Sequence, residues 1–153
     1  WLVYRKPFDA RLRDHLSEWG TGGLRRESEN RPFTDLLEDG KTPKEEKEIT
    51  KRANPDGEDA HPNQKPQYLM RELCHASLPL QEGTILDPFM GSGATIAGAE
   101  ALGYDAVGIE IDETFYKMAQ NAIPELTKVR TPVEERVDLE NISSDSASLD
   151  DYS

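Results

Sequence analysis

Cysteine is nearly missing from this chain, with Cys74 the single one. That excludes an internal disulfide and any multi-cysteine metal centre, and it fits a reducing cytoplasm. Long apolar runs are missing too: none approaches the roughly 18 residues a membrane span needs, so no membrane contact is expected. No internal repeat is present. The chain starts at Trp1, in an apolar run with no basic leader and no small-residue cleavage site, so neither a start codon nor a signal peptide is read there. The expectation is a chain entered partway through a gene.

What is present amounts to about one domain of a soluble class, 153 residues with 35% hydrophobic and 31% charged. The formal charge of -12 argues against a free-standing nucleic-acid grip, because Lys and Arg supply most non-specific affinity for phosphates. The charge is uneven, however. Residues 1–26 carry six bases against three acids, 27–59 six against eleven, 60–130 five against nine, and 131–153 one against seven. The basic share lies at the front, in Arg5, Lys6, Arg11, Arg13, Arg25 and Arg26, which could touch DNA backbone or simply be solvated.

Along the chain, "WLVYRKP" reads as a strand from Trp1 to Tyr4 stopped by Pro7, and "WGTGGLRRE" as a glycine loop. Residues 27–60 are charge-rich with scattered prolines and little apolar periodicity. They read as an insertion or linker with one or two short helices, such as "KEEKEITKR". Leu69, Leu73 and Ala76, with Met70 and Cys74 beside them, then make one apolar helix stripe between Pro66 and Pro79. "TILDPF" reads as a short buried strand, "GATIAGAEAL" as a small-residue helix stopped by Gly103, and "DAVGIEI" as a second strand. "DETFYKMAQNAI" reads as a helix capped by Asp112, with Phe115, Met118, Ala119 and Ala122 on one face. Strand, helix, strand, helix with short links predicts an α/β fold built on a parallel right-handed βαβ unit. After Pro132 the text is acidic and serine-rich, and disorder is expected.

The chemistry concentrates in "ILDPFMGSGATIAGAEALGYDAVGIEID", Ile85 to Asp112. A glycine turn at the carboxyl end of a parallel strand lets backbone approach a ligand, and the following helix presents unpaired N–H groups to an anionic part of it. Glu110, at the end of the next strand, falls near where an acid accepts from ribose hydroxyls in nucleotide-binding units, so the ligand should contain a nucleoside. NAD fits poorly, because Ile96 stands where the fingerprint has its third glycine and Gly98 comes two places late. Asp87 before the glycines suits a cationic amine and not a pyrophosphate. S-adenosylmethionine, with ammonium, carboxylate and ribose, matches that description. A Gly-Ser-Gly turn can equally be only a tight turn.

"HPNQKP" (His61 to Pro66), "LDPFMGSGAT" (Leu86 to Thr95) and "VGIEIDETFYKMA" (Val107 to Ala119) together resemble the amino-group DNA methyltransferases, which act on N6 of adenine or N4 of cytosine. The order resembles the permuted subgroup in which the catalytic motif precedes the cofactor motif, and "WLVYRKP" and "GTGGLRR" look like segments lying between the two. The resemblance covers roughly residues 1–26 and 61–123. It implies a partial Rossmann-like class I methyltransferase fold with the catalytic half absent. Residues 1–26 would end the catalytic and DNA-contacting region, and 27–60 would be a charged insertion or linker with a possible target-recognition role. Residues 61–126 would bind S-adenosylmethionine, and 127–153 would be an acidic tail.

Carried over by position, Asp87, Phe89, Gly91, Ser92 and Gly93 would line the cofactor, Glu110 would take the ribose hydroxyls, and Lys65 would hold the methionine carboxylate. His61 is a cofactor contact or a turn residue, Phe89 and Phe115 could be core, and Asp112 is a helix cap rather than a ligand. Ala94 departs from the family's usual Thr. The family's Asp/Asn-Pro-Pro-aromatic loop is also missing, since Asn54-Pro55-Asp56 lacks the second proline and the aromatic. In the family that loop accepts from the flipped base's amino group and stacks on its ring. No catalytic residue and no metal ligand is therefore assigned. The implied partners are duplex DNA and a missing catalytic half or partner subunit. A C5-cytosine enzyme is excluded, because it needs an activated cysteine and Cys74 sits on an apolar stripe. Alternatives are a non-catalytic S-adenosylmethionine-binding or subunit-interaction module, and a small-molecule methyltransferase or oxidoreductase sharing only the βαβ unit.

Overall fold

The computed structural model describes residues 11–20, 22–25, 33, 40–57 and 60–133. The expected strand at Trp1–Tyr4, the bases Arg5, Lys6 and Arg26, and the acidic text after Val133 lie outside the described residues. The elements are α1 (Leu12–Trp19), α2 (Lys44–Ala53), α3 (Gln67–Ser77), β1 (Thr84–Asp87), α4 (Ala94–Ala101), β2 (Asp105–Gly108) and α5 (Glu113–Leu126). β1 and β2 pair in parallel, Leu86 opposite Val107 and Asp87 opposite Gly108, with α4 as the crossover. This is a βαβ unit, and the fold is α/β around a small parallel sheet.

Alternation along the two strands gives each a different inside and outside. Ile85 and Ala106 turn toward α4 and pack on Cys74, Leu78, Ala99, Leu102 and Tyr104. Leu86 and Val107 turn the other way and are 62% and 50% exposed. The expected buried strand is therefore buried on one face only. Its four residues carry no marker of which faces are covered, because a short apolar strand reads the same with one partner layer or two.

Small residues on α4 bring it close to α3. A side chain at Gly98 would meet Met70 and the backbone of Arg71 at 3.0–3.2 Å. On the other side of the unit, α2 docks on α5: Ile49 shares a cluster with Ala97, Ala122 and Leu126, and Val129 packs against it. The helix expected in "KEEKEITKR" is thus present, and it belongs to the same core as residues 61–126. Thr131 and Val133 are buried as well, so the first residues of the expected acidic tail pack with the domain.

Two further corrections concern helices. α1 lies in a stretch between "WLVYRKP" and "WGTGGLRRE" to which no element was assigned, although Leu12, Leu16 and Trp19 recur at helical spacing and Gly20 closes the helix with φ 65°. α5 runs on through Pro124 to Leu126, three residues beyond the expected "DETFYKMAQNAI". The exposed Pro124 lies in the last turn, and fully buried Leu126 anchors the residues beyond it. Asp112 caps α5 as expected, accepting from the N–H groups of Thr114 and Phe115 at 2.9 and 3.0 Å.

α3 buries more than its apolar stripe. Gln67 and Arg71 are fully buried beside Leu69, Met70, Cys74 and Ala76. Gln67 donates through Nε2 to the Ala94 carbonyl, and Arg71 through Nη2 to the carbonyls of Leu126 and Thr127. Arg71 therefore ties α3 to the carboxyl end of α5, where carbonyls lack partners within their own helix, and Gln67 ties it to the first residue of α4.

Candidate functional site

Between α3 and the turn that joins β1 to α4 lies a cleft of about 430 Å³. Its wall has three parts: the 61–65 segment (His61, Asn63, Gln64, Lys65), the turn from Asp87 to Ser92 with the start of α4, and an α3 face carrying Met70, Leu73 and Cys74. A cleft of that volume with an apolar back and a few polar groups at one rim is what small-molecule sites look like in general.

The turn is shaped by its own hydrogen bonds. Asp87 Oδ1 accepts from Phe89 N at 3.0 Å, folding the chain back over the strand end. Glu110 then bridges two loops. Its Oε2 accepts from Gly91 N and its Oε1 from Asp112 N, each at 2.9 Å. The ladder continues past the strands, with Ile109 N donating to the Asp87 carbonyl and Met90 N to the Ile109 carbonyl. The second acid is thus a brace that holds the glycine turn against the end of β2.

The two glycines have different neighbours. At Gly91 (φ 53°) an added Cβ would stand 2.9 Å from His61 Nε2, at the cleft wall. At Gly93 (φ 80°) it would stand 2.6 Å from Ile123 Cγ1 and 3.3 Å from Ala119 Cβ, inside the α4–α5 contact. Both need left-handed backbone, which glycine adopts without steric cost.

His61 is held on two sides. Its Nδ1 accepts from Asn63 N at 3.2 Å, which leaves the proton of the neutral ring on Nε2, and its ring meets Phe115 edge-on with centroids 4.5 Å apart. Burial pulls its pKa below the usual 6.5, opposed by Glu110 and reinforced by Lys65. At the opposite wall burial, helped by Asp87, pushes the Cys74 thiol up to about 12. Cys74 is therefore a protonated packing group, as its place on the stripe implied.

Of the residues singled out in the sequence, Lys65, Asp87, Phe89, Gly91 and Ser92 line the cleft together. Gly93 and Glu110 are not on its wall: Gly93 serves helix packing, and Glu110 reaches the cleft only through Gly91. Phe89 is 87% exposed at the rim, so it is not core, whereas Phe115 is half-buried against His61. Asn63, Gln64, Met70 and Leu73 also line the wall, beyond the residues singled out in the sequence. "HPNQKP" itself was the available signal for the first two. Nothing in an apolar helix stripe tells a core face from a cleft face.

Among the described residues no cluster of His, Cys, Asp and Glu could hold a metal ion, and no helix is long and apolar enough to cross a membrane. In the basic front segment Arg11 and Arg13 are exposed. Arg25 is half-buried, its N–H on the Ala76 carbonyl and its Nη1 3.5 Å from the Tyr104 hydroxyl.

A family model described as DNA methylase matches residues 3–121. Among curated proteins, the type II methyltransferase M2.DpnII of Streptococcus pneumoniae is 42% identical over 64 residues, covering 41% of this chain and 23% of that protein. M2.LlaDCHI of Lactococcus lactis subsp. cremoris is 38% identical over 63 residues, covering 41% and 23%. M.HinfI of Haemophilus influenzae is 35% identical over 71 residues, covering 46% and 20%. The matches thus span less than a quarter of the length of these relatives. With three quarters of its residues inside the family match, and with the glycine turn and the "HPNQKP" segment brought to one cleft, the chain belongs to the N6/N4 DNA methylase family.

Proposed function

We propose that this chain is the S-adenosylmethionine-binding part of a DNA methyltransferase that methylates the exocyclic amino group of adenine or cytosine. The observation that supports it most is the convergence of Lys65, Asp87 and the Gly91 turn on one cleft of about 430 Å³. The donor set suits the ligand: a lysine ammonium for the methionine carboxylate, a carboxylate for its ammonium, and an apolar back wall of Met70 and Leu73 for the uncharged remainder. When bound, the cofactor supplies an electrophilic methyl on a sulfonium.

In this reading the chain's own residues bind and orient. Lys65 and Asp87 fix the two charged ends of the amino acid, and the distance between them sets where the methyl group points. Glu110 acts on the ribose side indirectly, by holding Gly91 in the cleft wall. Phe89, at the rim, covers the cleft from solvent. Holding the methyl donor in one orientation contributes to rate because attack by an amino nitrogen must be in line.

The base-binding loop belongs, in the same reading, to residues outside these 153 or to a partner subunit, and duplex DNA is the substrate of the complete enzyme. The division of the chain follows: 1–26 toward DNA, Thr42 to Thr50 within the charged segment bracing the cofactor region, 61–126 with the packed residues up to Val133 binding the cofactor, and the acidic residues after Val133 a tail. Cytoplasmic residence fits this function. A second reading, a non-catalytic S-adenosylmethionine-binding module, is favoured by the lack of a Pro-Pro-aromatic sequence in these 153 residues.

Titration calorimetry tests the core of the proposal. Heat with S-adenosylmethionine and none with NAD is expected, and Lys65→Ala and Asp87→Ala should each weaken binding at least tenfold. Heat from NAD alone, or none from either ligand, refutes it. Methyl transfer to unmodified duplex by this chain alone would remove the non-catalytic reading.

A further inference from the structure

Gln64 is buried, yet it sits in a turn whose neighbours His61 and Lys65 line the cleft. Its three polar atoms away from that turn all bond to the 42–50 segment. Nε2 donates to the Glu46 carbonyl at 3.2 Å, Oε1 accepts from the Thr50 hydroxyl at 2.7 Å, and the backbone carbonyl accepts from the Thr42 hydroxyl at 2.7 Å. The amide orientation is fixed, since a flip would set Oε1 against the Glu46 carbonyl, two acceptors facing each other. Thr50 is fully buried and its hydroxyl also lies 3.1 Å from the Lys47 carbonyl, so its one proton has only acceptors to choose between.

Glu46 adds a second tie. Pro66 precedes α3 and gives no side-chain cap, and Glu46 Oε2 accepts from Gln67 N at 2.9 Å in its place. α2 is itself seated on α5 through Ile49. A chain of contacts therefore runs from α5 to α2, from α2 to Gln64, and from Gln64 to both wall residues beside it.

We propose that Gln64 is a positioning residue for the cofactor cleft: the segment carrying Thr42, Glu46 and Thr50 fixes the 61–65 turn through it, so that Lys65 and His61 are preset before ligand arrives. The role toward cofactor rests on the S-adenosylmethionine reading given above. The segment that looks like a charged linker in the sequence is then a brace for the site. A wall held in one position raises affinity because less of the ensemble must be discarded on binding.

The test uses the intact chain with Thr50→Val, which keeps the shape and removes the donor to Gln64, with Thr50→Ser, which restores it, and with Thr42→Val at a half-buried position that folding tolerates. Two readouts are taken: amide hydrogen exchange at Asn63 and Gln64 without ligand, and calorimetric affinity for S-adenosylmethionine. Thr50→Val should speed exchange and weaken affinity roughly tenfold, the scale of leaving a buried acceptor unmade. Thr42→Val should do the same to a smaller extent, and Thr50→Ser should recover both. A Thr50→Val chain that melts earlier but binds with unchanged affinity overturns the positioning role, as does unchanged exchange at both amides. Absence of heat from the unmodified chain refutes the cofactor reading instead, while the exchange result still decides whether the brace holds the turn.

Discussion

Gly93 and Gly91 stand two residues apart in the same turn, and alanine at each should fail differently. At Gly93 two costs add. Left-handed backbone at φ 80° is strained for alanine by roughly 1–2 kcal/mol. The new Cβ, 2.6 Å from Ile123 Cγ1 and 2.8 Å from Cδ1, overpacks the α4–α5 contact by roughly 1–3 kcal/mol more. The sum, roughly 2–5 kcal/mol, is a large part of the stability a domain of this size has. Urea unfolding followed by circular dichroism should therefore show a midpoint lowered by roughly 1–3 M, or no cooperative transition. At Gly91 the backbone strain is similar, but the new methyl meets only the His61 ring edge at 2.9 Å, at a cleft wall where the ring can swing aside. Its stability loss should stay near the strain alone, while ligand affinity drops because His61 has moved. Adding Ile123→Ala to Gly93→Ala should return the steric part, giving a coupling of about 1–3 kcal/mol in a double-mutant cycle. Equal losses at the two glycines, or a Gly93→Ala chain as stable as the original, would refute the division into a packing glycine and a wall glycine.

The folded pKa of His61 lies below 6.5, so its neutral form is favoured by folding; its contribution is whole above 6.5 and is lost as pH falls through the folded value. His61→Gln should flatten the thermal midpoint over that acid range, and an unchanged slope would show that His61 carries none of it. Glu46 has the opposite sense: burial raises its pKa above 4.5, so its contribution is present below 4.5 and fades as pH rises through the folded value. Both Glu46→Gln and Glu46→Ala should remove that slope, but only Glu46→Gln keeps an acceptor for the buried Gln67 N–H, so Glu46→Ala should be the less stable of the two by roughly 1–3 kcal/mol. Chemical denaturation across that range separates the two variants. With its thiol pushed up to about 12 and buried, Cys74 should resist thiol reagents in the folded chain and react once urea unfolds it, and fast labelling of the native chain would contradict the packing.

Much of the arrangement was legible because it is written in local rules. Alternating elements with short links, small residues on α4, Asp112 before α5 and glycine after strand β1 each imply a shape from a few neighbours in sequence. α2 was legible as a helix for the same reason. Its role was not, because Ile49 among seven charged residues gives no apolar stripe to show that the helix is docked. Likewise α1 was hidden by the glycine cluster that follows it, although its own leucines recur at helical spacing.

The sequence by itself determined the βαβ unit, the cap of α5, the packing role of Cys74 and five of the residues that line the cleft, Lys65, Asp87, Phe89, Gly91 and Ser92. Tertiary structure alone decided which of those residues share a wall, that Glu110 braces Gly91, and that Gly93 answers to Ile123. It also decided that Gln64, Gln67, Arg71 and Glu46 are buried together. The physical reason is the same in each case: a contact between residues 14 to 56 positions apart, as in Thr50–Gln64, Gly93–Ile123 or Arg71–Thr127, leaves no period in the sequence. Apolar residues announce burial by their spacing, whereas polar residues are buried only where a distant partner meets them.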